Sequence, residues 1–232
     1  MSTKEYRDRA HREGPEADQV LRVALGNAAP VLALPELTLF PGTLVPLHVH
    51  EPEPCRAVAE SLARDRLLVL AALGEPGPDR PLHEVAGLGR IVSDRRYPDG
   101  RMDAFIHGIE RVALTRVTLG ADGLSADFEV LQDRPGASAT FAGLRLFGIA
   151  TSLQRALEGT RPEEAEALRA LLGSTSDIGL VANRIAAAFV GSFDERQRLL
   201  EERCPAARCD QLALALGGQL LSATTLPPGP LH

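Results

Sequence analysis

His48 and His50 lie two positions apart, beside Glu51 and Cys55, and this is the chain's densest group of side chains able to do chemistry. On a strand, residues two apart project to one face. His48, His50 and Cys55 are therefore weak candidates for a metal site. Structural zinc normally draws on paired ligand clusters, and a single loose cluster favours the reading of no metal and no cofactor. Cys204 and Cys209 flank Pro205, at a spacing unlike a redox Cys-x-x-Cys. No Gly-x-Ser-x-Gly elbow marks a hydrolase nucleophile. Gly87-Leu88-Gly89 lacks the third glycine and the following helix of a dinucleotide loop and reads as a bend for sheet closure. Lys4 is the only lysine, so neither a phosphate-cradling Gly-x-x-x-x-Gly-Lys loop nor a Ser-Lys dyad can be assembled. No catalytic residue emerges, and the chain is expected not to be an enzyme.

Composition narrows the partners. Aromatic residues make up 4% of the chain and tryptophan is absent, so the core must be aliphatic. The net charge of −6 and the absence of a basic block argue against nucleic acid. Arginines dispersed among acids read as a solvated surface. Three cysteines do not make a disulfide framework and fit a reducing cytoplasm. No apolar run approaches a membrane span, and the charged N-terminus does not read as a signal peptide.

The elements that would position these side chains divide into two kinds. Residues 1–30 read as a polar tail with a short helix over 15–25, where Val20, Leu21, Ala24 and Leu25 share a face and Asn27-Ala28-Ala29-Pro30 ends it. Residues 31–135 carry strand signals at 31–34, 44–49, 67–73, 88–93, 102–111, 112–117 and 128–131. Prolines 35, 41, 46 and 52 cut the opening stretch into short extended pieces suited to a sheet edge. One helix, over 52–64, interrupts the strands, with Cys55, Val58, Ala59 and Leu62 at helical spacing. Glu75 to Asp79 reads as a loop. Pro98-Asp99-Gly100 makes a hairpin turn, because Pro pre-sets φ and Asp-Gly accepts positive φ.

After a linker at Gly136-Ala137-Ser138 the period becomes helical through residue 226, and 227–232 form a tail. Helices are expected over 141–157 with Leu144, Phe147, Ile149 and Leu153 inward, from Pro162, over 178–190, after Ser192 and over 205–216. Asp177 or its neighbours would cap one, and Ser192 with Glu195 another. The fold class is α+β: a β domain followed by a C-terminal α-helical bundle.

The order of several motifs resembles the Lon protease N-terminal, substrate-binding domain family. Phe40-Pro41-Gly42, Pro46-Leu47-His48 and Glu51-Pro52 match its opening. Gly87-Leu88-Gly89-Arg90-Ile91 and Pro98-Asp99-Gly100-Arg101 follow. Gly108-Ile109-Glu110-Arg111-Val112 is similar to a Gly-x-x-Arg-Phe pattern, with Val112 in place of the usual aromatic. Asp177 to Asn183 resembles an Asp-x-x-x-Leu-Ala-Asp segment, and Gln197 to Glu201 a Gln-x-Leu-Leu-Glu segment.

The resemblance implies a PUA-like, curled β-barrel for 31–135 and a free-standing bacterial relative without the ATPase and peptidase modules. It implies a non-catalytic role in protein quality control, with unfolded or degron-bearing polypeptides as partners. Binding would use a sheet edge or an apolar groove around Leu39, Phe40, Pro41, Leu44 and Leu47. The alternatives are an adaptor that docks on a protease or on itself, and an enzyme with an unrecognised small-molecule site.

Overall fold

The computed structural model describes residues 28–74, 82–120, 123–134 and 139–224. The expected helix over 15–25, the loop at 75–79 and the linker at 136–138 lie outside the described residues. The strands are β1 (Ala28–Leu34), β2 (Leu44–Val49), β3 (Leu67–Ala72), β4 (Val85–Arg96), β5 (Met102–Gly120) and β6 (Gly123–Val130). Helix α1 (Pro52–Ala63) lies between β2 and β3; α2 (Ala139–Leu157), α3 (Pro162–Leu172), α4 (Ile178–Phe189), α5 (Phe193–Glu201) and α6 (Pro205–Thr224) follow the strands.

The sheet is mixed, in the order β2-β5-β4-β3-β1-β6, and β6 also pairs with the second half of β5. Among the described strands only β1 and β3 run parallel. The apolar run at 67–72 is buried on both faces, which is why it shows no alternation. Leu67, Val69 and Ala71 enter a cluster with Val31, Leu88, Val112 and Phe128. Leu68 and Leu70 enter a second with Leu39, Ile91, Ile106 and Val58 of α1. Residues 102–117 form one long strand rather than two, bent by a register shift between Leu114 and Arg116. A bulge lets one chain serve two pairings without breaking.

Ala28 to Pro30 open β1 instead of ending a helix. Pro30 stands at the point where β1 exchanges its partner β6 for β3, so its missing amide interrupts little. The α-helices enclose a third cluster, built from Leu146, Leu153, Val181, Ile185, Leu200 and Leu212. In α2 the buried stripe is Ala142, Leu146, Ala150, Leu153 and Leu157, while Leu144 is exposed. The expected inward set is thus corrected at Leu144; small residues at 142 and 150 allow the closer approach. Asp177 caps α4 by accepting from the Leu180 amide at 3.1 Å, and Ser192 accepts from the Glu195 amide at 3.4 Å. No helix among the described residues is long and apolar enough to cross a membrane.

Candidate polypeptide-binding site

The Phe40-Pro41-Gly42 segment is neither a strand nor a free edge: it is a strap between the strands and the helices. Leu39 and Phe40 are both 0% exposed, but in different places. Leu39 packs into the cluster under α1, and Phe40 into the helical cluster. Three glycines let the strap lie flat on β4 and β5. A Cβ on Gly87 would stand 2.2 Å from the Leu39 carbonyl oxygen, and one on Gly108 2.2 Å from that of Phe40. The Gly87-Leu88-Gly89 pair therefore serves this close approach as well as the register shift between Leu88 and Gly89. Pro41 is half-buried, and its carbonyl accepts from Asn183 Nδ2 at 3.2 Å.

Leu44 and Leu47 lie on β2, half-buried, and face opposite sides of the sheet. Val45, Leu47 and Val49 turn toward the cluster beneath α1. Leu44, Pro46 and His48 turn outward, opposite His107, Phe105 and Asp103 of β5. Pro46 and His48 are exposed, and Phe105 is 37% exposed. Leu44, Pro46 and Phe105 thus make an apolar outer face that ends in a polar cluster. There His48 Nδ1 and Asp103 Oδ1 share a hydrogen bond of 2.5 Å, and the Tyr97 hydroxyl donates to Asp103. Those two contacts, Tyr97 first, hold the Asp103 carboxyl below the usual carboxylate range. Phe105 was missed in the sequence, although it is the one large aromatic standing out of phase with the alternating Met102, Ala104 and Ile106.

Among the described residues, strand β2 has a partner on one side only. The Gly108 amide donates to the Thr43 carbonyl at 2.8 Å, which turns Thr43 toward β5. By the alternation of an antiparallel ladder, Val45, Leu47 and Val49 also direct their backbone groups to β5. The amides of Leu44 and His48, and the carbonyls of Leu44, Pro46 and His48, are left on the open side. Proline at 46 removes no ladder bond there.

The metal candidates do not converge. His48 is engaged by Asp103, Cys55 Sγ points to the Gly100 carbonyl at 3.7 Å, and among the described residues no group of three His, Cys, Asp or Glu side chains could hold a metal ion. Cys55, Cys204 and Cys209 are free thiols. A depression of about 900 Å³ between α5 and α6 is lined by charged side chains such as Arg198, Glu201 and Glu202.

Two arginines correct the expectation of a solvated surface, for Arg111 is 3% and Arg208 0% exposed. Arg111 Nη2 donates to Asn183 Oδ1 at 2.6 Å, Nη1 to Asp133 Oδ1 at 3.0 Å and Nε to the Leu200 carbonyl at 2.9 Å. Arg208 donates to the same two acceptor groups, Asn183 Oδ1 at 2.8 Å and Asp133 Oδ2 at 2.7 Å. Burial is the main influence on Arg111 and lowers it, with Asp133 opposing. This network ties β5 to α4, α5 and α6, directly behind the strap. Two motif segments far apart in sequence, at 108–112 and 177–183, therefore meet at Arg111 and Asn183.

Residues 28–216 match the family model of the ATP-dependent protease La (LON) substrate-binding domain. The chain belongs to that family. A Lon protease of Azospirillum brasilense is 21% identical over 209 residues, covering 88% of this chain and 26% of its own length. Lon protease 2 of Bdellovibrio bacteriovorus is 26% identical over 190 residues, covering 79% and 23%. The chain thus spans about a quarter of the length of these relatives. The solved N-terminal domain of Mycobacterium avium complex Lon protease superposes with a TM-score of 0.66 at 17% identity, covering 82% of this chain and 97% of that one. The Lon N-terminal domain protein from Xanthomonas campestris gives 0.56 at 18% identity, covering 81% and 97%. This Lon-like module therefore has the Lon N-terminal fold, with a mixed sheet and, among the described residues, six helices.

Proposed function

We propose that the chain is a non-catalytic polypeptide-binding module that takes an extended apolar segment along the open edge of β2. The observation that carries the reading is that edge: backbone donors and acceptors at Leu44, Pro46 and His48 without a partner among the described residues, beside the apolar face of Leu44, Pro46 and Phe105. An added strand would satisfy those groups, and its alternate side chains would lie over Pro46 and Phe105. Leu44 and Leu47 remain proposed contacts. Leu39, Phe40 and Pro41 act behind them, holding the start of β2 in place.

The family assignment supports a polypeptide as ligand, and unfolded or degron-bearing segments are the class we favour. We also infer a PUA-like β-barrel over 31–135 and a helical bundle over 136–226. The pairing of β6 with both β1 and β5, and the separate apolar clusters, support that division. A reducing cytoplasm is the compartment proposed.

The test is fluorescence anisotropy with short apolar peptides, in which alternate backbone amides are N-methylated. Methylation in one phase should weaken binding about tenfold or more, and in the other phase little, because only one set faces β2. Equal effects in both phases would rule out strand addition.

A second reading has its own observation. Phe141 and Leu144 of α2 are 67% and 64% exposed, and Leu214 and Leu221 of α6 are 79% and 71% exposed. An adaptor docking on a protease or on itself would use such a surface. Asp in place of Leu214 and Leu221 should then abolish pull-down of the partner while peptide binding persists.

A further inference from the structure

Three arginines line the depression between α5 and α6: Arg134 beyond the end of β6, Arg198 on α5 and Arg203 in the turn between the two helices. The backbone that carries two of them is fixed. The Arg134 amide donates to the Arg203 carbonyl at 2.8 Å, and Arg203 Nε donates to the Gln132 carbonyl at 2.9 Å. Among the described residues the guanidinium groups of Arg134 and Arg198 have no hydrogen-bond or ion-pair partner. One exposed arginine needs none, but two such groups gathered in one depression are a binding resource.

Three glutamates share the lining, and each already answers to a donor or a positive end of the fold. Glu202 acts on the buried Arg111, and its carboxylate accepts from the Cys204 amide at 2.7 Å and from Gln211 Nε2 at 3.5 Å. Glu201 Oε1 accepts from Gln197 Nε2 at 2.8 Å and lies 3.8 Å from His83 Nδ1. Glu195 stands in the first turn of α5, where the helix N-terminus favours an acid. The charge left over for a ligand is therefore cationic, in the planar forks that match carboxylates.

The rest of the wall is apolar: Leu199, Cys204, Ala215 and Leu214, the last of them 79% exposed. About 900 Å³ is room for several residues of a chain rather than for one side chain. Forks carried on separate elements call for more than one carboxylate, which a single chain terminus does not offer.

We propose that this depression is a second polypeptide site, which takes a short acidic segment. Its aspartate or glutamate side chains pair with Arg134 and Arg198, and an apolar neighbour lies on Leu214 and Ala215. The site belongs to the helical side and is independent of what the β2 edge binds.

The test is fluorescence anisotropy on the full chain, with a short peptide in which glutamates flank leucines. Its glutamine counterpart should bind about tenfold or more weaker, and the glutamate peptide should lose as much on Arg134→Gln with Arg198→Gln. Both side chains are exposed, so this variant should melt as the parent does. It should also bind a purely apolar peptide as the parent does, since the β2 edge is untouched. Cysteine labelling locates the peptide. Cys204 lines the depression and Cys55 does not, so saturating glutamate peptide should slow iodoacetamide labelling of Cys204 severalfold and leave Cys55 unchanged. No binding of the glutamate peptide, or equal binding of the glutamate and glutamine peptides, would overturn the proposal. So would a Cys204 that labels at its full rate under saturating peptide, which would put the acidic segment elsewhere on the protein.

Discussion

Gly42 and Gly100 both hold a positive φ, +75° and +90°, but only one is hemmed in. A Cβ on Gly42 would come within 2.0 Å of Leu180 Cδ1, whereas nothing lies within 4 Å of one on Gly100. Gly42→Ala should cost about 2–3 kcal/mol and Gly100→Ala about 1 kcal/mol, read from urea midpoints at constant slope. Equal losses would mean that Leu180 simply moves aside. Cysteine chemistry sorts by burial in the same way. Burial pushes the Cys209 thiol up to about 12, so it should resist alkylation in the native protein while Cys55 and Cys204, both half-buried, react first. The raised Cys209 value favours the native state below the ordinary thiol pKa; stability should fall as pH rises beyond about 9, where the unfolded chain loses a proton that the native chain keeps. Mass spectrometry after timed iodoacetamide labelling tests the order.

Helix α6 shows what element boundaries owe to context. The sequence suggests a stop near Leu216, because Gly217-Gly218 follows, and each glycine inside a helix costs about 1 kcal/mol relative to alanine. The helix nevertheless runs to Thr224, with Leu220 and Ala223 packed on the helical cluster and Gln219 Nε2 donating to the Phe189 carbonyl at 2.6 Å. Tertiary contact outweighs local propensity there. A Cβ at either glycine meets nothing within 4 Å. Gly217→Ala and Gly218→Ala should therefore each raise stability by about 0.5–1 kcal/mol, seen as a higher thermal midpoint. No change would show that this last stretch contributes nothing to the cooperative unit. The other helices were legible because caps and prolines mark them, as at Asp177, Pro162 and Ser192. The turn at Gly100 and the buried strand 67–72 were legible as well. Strand β5 was not, since a bulge leaves no compositional trace. Nor was the burial of Arg111 and Arg208, because an arginine paired with groups 72 or 25 residues away looks the same in sequence as a solvated one.

At the scale of the whole molecule, the strap and the arginine network decide whether strands and helices fold as one body. Phe40 lies on the strand side of the chain, yet its ring belongs to the helical core. Arg111 is a strand residue whose hydrogen bonds reach the Asn183 side chain on α4 and the Leu200 carbonyl on α5. Removing a guanidinium from such a network leaves acceptors buried without their donor, so Arg111→Ala should cost about 3 kcal/mol. Phe40→Ala leaves a cavity and should cost about 3–5 kcal/mol. If the strap couples the halves, each loss falls on both at once. Far-UV circular dichroism, dominated by α2 to α6, and exchange protection of β3 and β4 should then shift to the same new midpoint in either variant. Helical signal lost before β3 protection would mean that Phe40 stabilises only the helices and that the strap is a tether rather than a coupling. Coincident loss would mean that β2, which begins where the strap ends, is held in place by both cores. Its open edge would then keep its position only while the helices remain packed.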